Sequence, residues 1–321
     1  MQQAWITKGG PPDVFELRET SAPVPDAGEV LIDVEAIGVN FADLLMRRGV
    51  YAAAPDLPAV PGYEAAGTVR TVGDDVERLA KGDAVMALVS VGGYATQLAV
   101  PARQAWKRPE GMSAEEGAAW PVNYLTAFEA MVVMGSLRRP DELGGQPTRV
   151  LVHGAAGGVG TAAAQIGQIY DAELFGTASP WKHDFAREQG YDHLIDYRTD
   201  DFVEVVQNLT DGRGVDLVLD PIGGRHWKRS LDVLAPTGRL CVFGMADAVS
   251  GPLSALKMLF RTPWWRFTPP YLMTRSVGVF GYFLGATMPL ADETRDWFEV
   301  LLRRYDEGAL QPHIHETFPL A

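Results

Sequence analysis

The sequence predicts an α/β protein in two parts: a barrel-like β domain, then a doubly wound parallel sheet covered by helices. Three observations predict it. The run VLVHGAAGGVG (residues 150–160) joins an apolar strand to a helix through Gly154, Gly157 and Gly160. From residue 150 onward, apolar strand patterns alternate with helical ones, as in parallel sheets with helices on both faces. The first third instead carries many short strand patterns separated by Gly and Pro turns, the mark of a closed or curled antiparallel sheet.

The glycine turn comes first. Val150, Leu151 and Val152 suit a buried parallel strand, and residues 161–170 (TAAAQIGQIY) read as a helix with Ala and Ile on one face. Glycines at G-x-x-G-x-x-G spacing let a backbone approach phosphate oxygens. The helix start adds free N–H groups and a partial positive charge. This layout holds the pyrophosphate of a dinucleotide, with Gly157, Gly158 and Val159 as its contacts. The next strand, at 172–177, ends where an NAD site carries an acidic residue for the ribose 2′-hydroxyl. Here the chain reads Thr177, Ala178, Ser179, Pro180, Trp181, Lys182. A hydroxyl and a lysine without a carboxylate favour a 2′-phosphate, so the expected cofactor is NADPH. Ser179 also has the chemistry of a helix cap.

In the first third, strands are expected at 5–7, 15–19, 29–39, 67–72, 83–91 and 94–100, with a short helix at 41–47. Ser113 and Glu116 form an S-x-x-E helix start, and a longer helix is expected at 124–134. In the second part, strands are expected at 150–153, 173–177, 193–196, 215–220, 240–244 and 277–280. One clear C-terminal helix covers 292–305.

Composition narrows the function. The chain has 321 residues, enough for two cored domains. Its formal net charge of −13 argues against nucleic acid and against simple attraction to anionic membranes. A single cysteine, Cys241, excludes an internal disulfide and fits a reducing, cytoplasmic compartment. The start MQQAWITKGG lacks a signal-peptide core. The most apolar long stretch, 253–273, is interrupted by Lys257, Arg261, Arg266 and three prolines, so no integral membrane segment is expected. Its aromatic residues Trp264, Trp265, Phe267 and Tyr271 suit a lid, an oligomer surface or an interfacial membrane contact.

The runs GVNFADLLMRRGVY (38–51), PGYEAAGTV (61–69) and AAGGVG (155–160) resemble the zinc-free quinone oxidoreductase branch of the medium-chain dehydrogenase/reductase superfamily. Within that branch, VNYLTAF, GTASPWKH, DPIGG and FGMA resemble the synaptic vesicle amine transport protein subgroup. The resemblance implies a GroES-like catalytic domain over residues 1–121, a Rossmann NADPH-binding domain over 122–281, and a return to the catalytic domain over 282–321. It places the active site in the cleft between domains and implies a homodimer formed through the Rossmann edge strand at 277–280. It also implies a further helix and strand after FPLA, where this chain stops at Ala321.

Zinc-dependent relatives place a Cys where Asn40 stands, a His where Tyr63 stands and a second Cys near Val122. Asn, Tyr and Val cannot rebuild a thiolate and imidazole site. Glu64 remains, with no partner legible. His313 and His315 lie two apart and read as exposed polar side chains, so no metal is expected. Without a Lewis acid, the feasible reaction is hydride delivery to an acceptor that is already electrophilic, a quinone or an α,β-unsaturated carbonyl. The resemblance places Asn40, Asp43, Tyr51 and Thr126 near the nicotinamide. Asn40, Asp43, Tyr51 and Tyr63 are the expected catalytic residues: Asn40 bonds the carboxamide or the acceptor oxygen, and Tyr51 or Tyr63 donates to the developing oxyanion. Asn40 and Thr126 are the expected cofactor contacts. Tyr197, after the third strand, is positioned to stack on adenine. Pro221 and Ile222, Phe243 and Gly244, and Phe280 and Gly281 follow the fourth, fifth and sixth strands, where such sheets bind ligands. Two alternatives stand beside this reading: an NADPH-binding protein that acts on vesicle or lipid surfaces with little turnover, and an enoyl-thioester reductase.

Overall fold

A computed structural model describes residues 1–51, 53–249, 260, 262, 264–288 and 291–320. Of the apolar stretch 253–273, residues 253–259, 261 and 263 lie outside the described residues, as does Ala321. The chain divides into two compact units. The first comprises Met1–Leu125, Gly285–Gly308 and Pro312–Ala321; the second comprises Thr126–Leu284 and Ala309–Gln311.

In the first unit, β1 (Gln2–Ile6) and β2 (Phe15–Glu19) pair antiparallel. Strands β3 (Glu29–Ile37), β4 (Glu64–Val72), β5 (Ala84–Leu88), β6 (Gln97–Pro101) and β7 (Ala105–Lys107) form a five-stranded sheet in the order β6-β3-β4-β5-β7. All four pairings are antiparallel. Two register shifts in the β3–β4 ladder, at Leu31/Ile32 and Val34/Ala36, add the local twist that curls such a sheet. Its inner face buries Val30, Ile32, Val69, Val85, Ala87, Leu98 and Val100. Strand β3 lies between β6 and β4, with Val30, Leu31 and Ile32 all buried. Strand β7 has no counterpart among the expected strands; at AWK it is too short for a period to show.

Helix α1 (Phe41–Arg47) has the expected bounds. Helix α2 (Ala114–Ala118) begins with the expected box: Ser113 accepts from the Glu116 N–H, and Glu116 accepts from the Ser113 N–H. The single helix expected at 124–134 is instead α3 (Pro121–Phe128) followed by a wider π-type coil at Glu129–Val133. Proline fits the first turn of α3, where its missing N–H costs nothing. The helix Ala291–Asp306 presents Phe298 to Trp106, with ring centroids 4.0 Å apart, and Tyr305 to the edge of Trp120.

The second unit holds six parallel strands: β8 (Arg149–His153), β9 (Glu173–Ala178), β10 (His193–Asp196), β11 (Val215–Asp220), β12 (Leu234–Val242) and β13 (Gly278–Gly281). Their order is β10-β9-β8-β11-β12-β13. Helices α4 (Gly158–Ile169), α5 (His183–Gln189), α6 (Phe202–Leu209) and α7 (Arg225–Asp232) connect them, and α8 (Pro269–Arg275) precedes β13. The chain winds outward from β8 to β10, then returns to the other side of β8, so the winding reverses between β8 and β11. Ligands of such sheets bind at that crevice, outside the carboxyl ends of the strands.

Two expectations are corrected here. Helix α4 starts at Gly158, three residues before the expected start, because glycines 158 and 160 give no helical pattern yet tolerate its first turn. Strand β12 begins at Leu234 and ends at Val242, so Phe243 and Gly244 follow the strand instead of closing it. Pro236, Thr237 and Gly238 read as a turn, but they form an irregularity inside the strand, with Thr237 at φ +72° and a register shift against β11. Of the aromatic stretch, Phe267, Tyr271 and Leu272 pack against the sheet core, whereas Trp264 and Trp265 stay exposed. Arg266 lies over the rings of Trp265 and Tyr271 and pairs with Asp232. No helix among the described residues is long and apolar enough to cross a membrane.

Phe298 is fully buried against Trp106. Its replacement by Ala leaves a ring-sized cavity, and Phe298→Ala is expected to cost about 3–5 kcal/mol, measured as a lower urea midpoint at unchanged slope.

Candidate functional site

In the first unit, the residues singled out gather around one buried carboxyl. Asn40 Nδ2 donates to Glu64 Oε1 at 2.7 Å, and the Val122 N–H donates to Glu64 Oε2 at 2.7 Å. Glu64 thus has two partners that no local pattern reveals. A Cβ at Gly38 would lie 2.4 Å from Glu64 Oε1, so only glycine admits the carboxyl there. Burial pushes Glu64 up to about 8, against the two hydrogen bonds that favour its charge. Its carboxyl is therefore mostly protonated at neutral pH.

Asp43 sits one helical turn from Asn40. Its carboxylate accepts the Asn40 N–H at 2.8 Å and the Gly62 N–H at 2.9 Å, and Tyr94 is a further partner. Gly62 has φ +103°, and a Cβ there would lie 2.5 Å from Tyr94. Asp43 is 2% exposed. Burial raises it to about 6, opposed by those hydrogen bonds. Its oxygens tie α1 to the loop before β4, beside Asn40 and Tyr63. Tyr63 and Tyr51 meet edge to face at 6.1 Å. The Tyr63 hydroxyl donates to the Met46 sulfur at 3.8 Å. Burial raises both phenols, so both keep their proton.

In the second unit, the glycine turn has the geometry of a phosphate cradle. Gly154 has φ +77°, and Gly157 caps α4 in an extended conformation. A Cβ at Gly160 would lie 2.4 Å from the Ala155 oxygen, so the third glycine is needed for the chain's own packing. The first-turn N–H groups of Gly158, Val159 and Gly160 have no partner within the helix by its geometry. Thr126 is buried on α3.

At the end of β9, Ser179 does not cap the following helix; its hydroxyl lies 3.1 Å from the Tyr197 hydroxyl. Tyr197 directly follows β10 and is exposed. Arg198 also bonds it, and these hydrogen bonds lower the phenol's pKa. The Arg198 guanidinium stands 3.9 Å above the exposed Trp181 ring. The buried Ser179 thus meets Tyr197, Tyr197 meets Arg198 and Arg198 meets Trp181 at these strand ends, with the exposed Lys182 next in the chain after Trp181. Sequence reasoning missed Arg198 because β10 pairs with β9 only in the folded sheet. Pro221 and Ile222 follow β11, and Phe243 and Gly244 follow β12. A Cβ on Gly244 would lie 2.8 Å from the Pro221 oxygen, so these two turns touch. Phe280 and Gly281 end β13.

An alcohol dehydrogenase GroES-like domain profile matches residues 26–110, and a zinc-binding dehydrogenase profile matches residues 158–304. The human homolog of synaptic vesicle membrane protein VAT-1 is 38% identical over 309 residues, covering 95% of this chain and 76% of that protein. The chain belongs to the medium-chain dehydrogenase/reductase superfamily. Escherichia coli quinone oxidoreductase, solved in complex with NADPH, is 28% identical with a TM-score of 0.84, over 98% of this chain and 90% of that one. CurK enoyl reductase is 30% identical with a TM-score of 0.83, over 99% of this chain and 92% of that one. The zinc-free quinone oxidoreductase branch fits these relatives, and the chain is an oxidoreductase of this superfamily with a GroES-like and a Rossmann domain.

The raised Glu64 value has a stability consequence with a definite sign. The native carboxyl holds its proton to about 8 against an ordinary 4.5, so the native state binds more protons than the unfolded chain between them. Stability then falls as pH rises through that window. Glu64→Gln is expected to flatten the fall, read from urea midpoints of both proteins at several pH values.

Proposed function

We propose that this protein transfers hydride from NADPH to quinones or α,β-unsaturated carbonyls without a metal. The surface at the ends of β9 and β10 carries the cofactor choice. It offers the Ser179 and Tyr197 hydroxyls with the Lys182 and Arg198 cations, and no carboxylate follows β9 before Lys182. That set matches a 2′-phosphate, since two cations and two hydroxyls stabilise a dianion that an acidic residue would repel. Trp181 and Tyr197 add aromatic faces for adenine.

The remaining contacts follow the strand ends. Gly157, Gly158 and Val159 present N–H groups for the pyrophosphate. Pro221, Ile222, Phe243, Gly244, Phe280 and Gly281 are the proposed wall for the nicotinamide riboside, with Asn40 and Thr126 toward its carboxamide. Bound NADPH would supply the hydride. The chain's own task is then to orient an acceptor, exclude water and donate to the oxygen on which charge develops. Tyr51 and Tyr63, kept protonated by burial, suit the donor role; Asn40 is held by Glu64 and Asp43. Strand β13, the outermost strand of the sheet among the described residues, suits pairing with a second copy of the chain.

The likeness to an enoyl reductase favours a second reading, reduction of enoyl thioesters, which differs only in the acceptor. NADPH oxidation with quinones, enones and enoyl thioesters separates them: saturable turnover with one class names the acceptor. Cofactor binding with no turnover on any of them would instead favour the binding protein suggested by the vesicle-protein relatives. Arg198→Ala is expected to weaken NADPH binding about tenfold, the scale of one charge-assisted hydrogen bond, and to leave NADH binding unchanged. Equal losses for both cofactors would refute the 2′-phosphate assignment.

A further inference from the structure

Below the glycine turn, a chain of buried polar side chains ties together the carboxyl ends of β8, β9 and β11. Thr177 Oγ1 lies 3.1 Å from His153 Nδ1, and His153 Nε2 lies 3.3 Å from Ser230 Oγ. Ser230 donates to Asp220 Oδ2 at 2.6 Å, and His226 Nδ1 lies 2.8 Å from the same oxygen. Asp220 Oδ1 accepts the N–H groups of Ile222 at 2.7 Å and Gly223 at 3.4 Å. His226 and Ser230 are four residues apart on α7 and therefore share a face. Phe202 covers His153 and His226 with its ring.

Only one proton arrangement satisfies every group. The Asp220 carboxylate can only accept, so Ser230 gives it its single proton. Ser230 Oγ must then accept from His153 Nε2–H. Burial, with His226 and Arg229 adding to it, lowers His153 to about 3, so the ring is neutral and Nδ1 accepts from Thr177. His153, Asp220 and His226 have metal-ligand chemistry, with donor atoms within 4.8 Å of one another. Yet Asp220 already accepts four hydrogen bonds, and the Ser230 hydroxyl bridges His153 and Asp220. Protons close this donor set and leave no lone pair on Asp220 for a cation.

We propose that this chain is a positioning clamp: it fixes the turn from Asp220 to Gly224 at the point where the sheet's winding reverses, and so sets dinucleotide affinity. Asp220, His153, His226, Ser230 and Thr177 are positioning residues, acting through the Ile222 and Gly223 backbone. A turn that is loose before binding must be ordered by the ligand, and that cost appears as lost affinity. The affinity part rests on the proposed NADPH site; the proton arrangement does not.

His226 is the most exposed member, so its replacement tests the clamp with least risk to folding. His226→Ala is expected to weaken NADPH binding about fivefold, consistent with loss of one hydrogen bond to a charged group. His226→Asn, whose Nδ2 can take the place of Nδ1, is expected to restore binding to within about twofold of the natural protein, a small part of that loss. Val150→Ala, a cavity near the amino end of β8, is expected to lower the unfolding midpoint without changing affinity. Native affinity in His226→Ala, or no rescue by His226→Asn, would overturn the affinity claim. Side-chain nitrogen NMR of the natural protein is expected to show neutral His153 with its proton on Nε2. Exchange of the Ile222 amide is expected to quicken in His226→Ala. A proton on His153 Nδ1, or unchanged exchange, would overturn the clamp even if NADPH failed to bind, and that failure alone would refute only the cofactor reading.

Discussion

Parallel pairing of the six strands from β8 to β13 is the constraint on which the second unit depends. Because each strand enters the sheet in the same direction, every carboxyl end lies on one edge, and every connection must leave from it. Backbone groups that leave a sheet lose their ladder partners, so that edge collects unpaired N–H groups, glycines with positive φ and short polar side chains. Gly154, Ser179, Asp220 and Gly223 are all found there. A long, anionic ligand fits such an edge because the edge itself needs acceptors.

The first unit meets a different constraint, the burial of charge. Glu64, Asp43 and Asn40 lie in an interior where an ionised carboxylate without partners would be costly. The chain answers with neutralisation and with backbone donors. Glu64 keeps its proton and still takes hydrogen bonds from Asn40 and Val122, while Asp43 takes the N–H groups that open α1 and enter β4. These bonds fix the side chain of Asn40 and the backbone on either side of it. Relatives that carry thiolate and imidazole here can anchor the same backbone through a cation; this chain uses hydrogen bonds between neutral or singly charged groups.

How much of this was legible in the sequence depended on range. The strand, glycine turn and helix at 150–169 could be read because each signal lies within a few residues of the next. The bounds of α1, β2, β10 and β11 were legible for the same reason: hydrophobic period and flanking turns agree locally. Strand β12 was misjudged because Pro236 and Gly238 signal a turn, and only the pairing of Leu234 and Arg239 with β11, on either side of that irregularity, joins the two halves in one strand. The partners of Glu64 lie 24 and 58 residues away, and Arg198 reaches Trp181 only because β10 lies beside β9. Glu64 was recognised as a remaining acid, but its partners were not. No period or spacing encodes such contacts, which exist only after the sheets are assembled.

The electrostatics of the first unit bear on the proposed chemistry in one further way. A reaction that places charge on an acceptor oxygen needs a donor that holds its proton until that moment. Burial raises the Tyr51 phenol and the Asp43 carboxylate raises it further; Tyr63 is raised by burial, by Tyr51 and by Asp43. The same acid that holds α1 in place therefore works against ionisation of the two tyrosines beside it. Neutral phenols stabilise a developing oxyanion through hydrogen bonds without a compensating cation. In the proposed reaction, neutral donors suit acceptors that spread their charge, because a localised alkoxide would demand more than they supply. The proposed choice of conjugated acceptors over simple ketones is then tied to the same buried carboxylate that orders the helix.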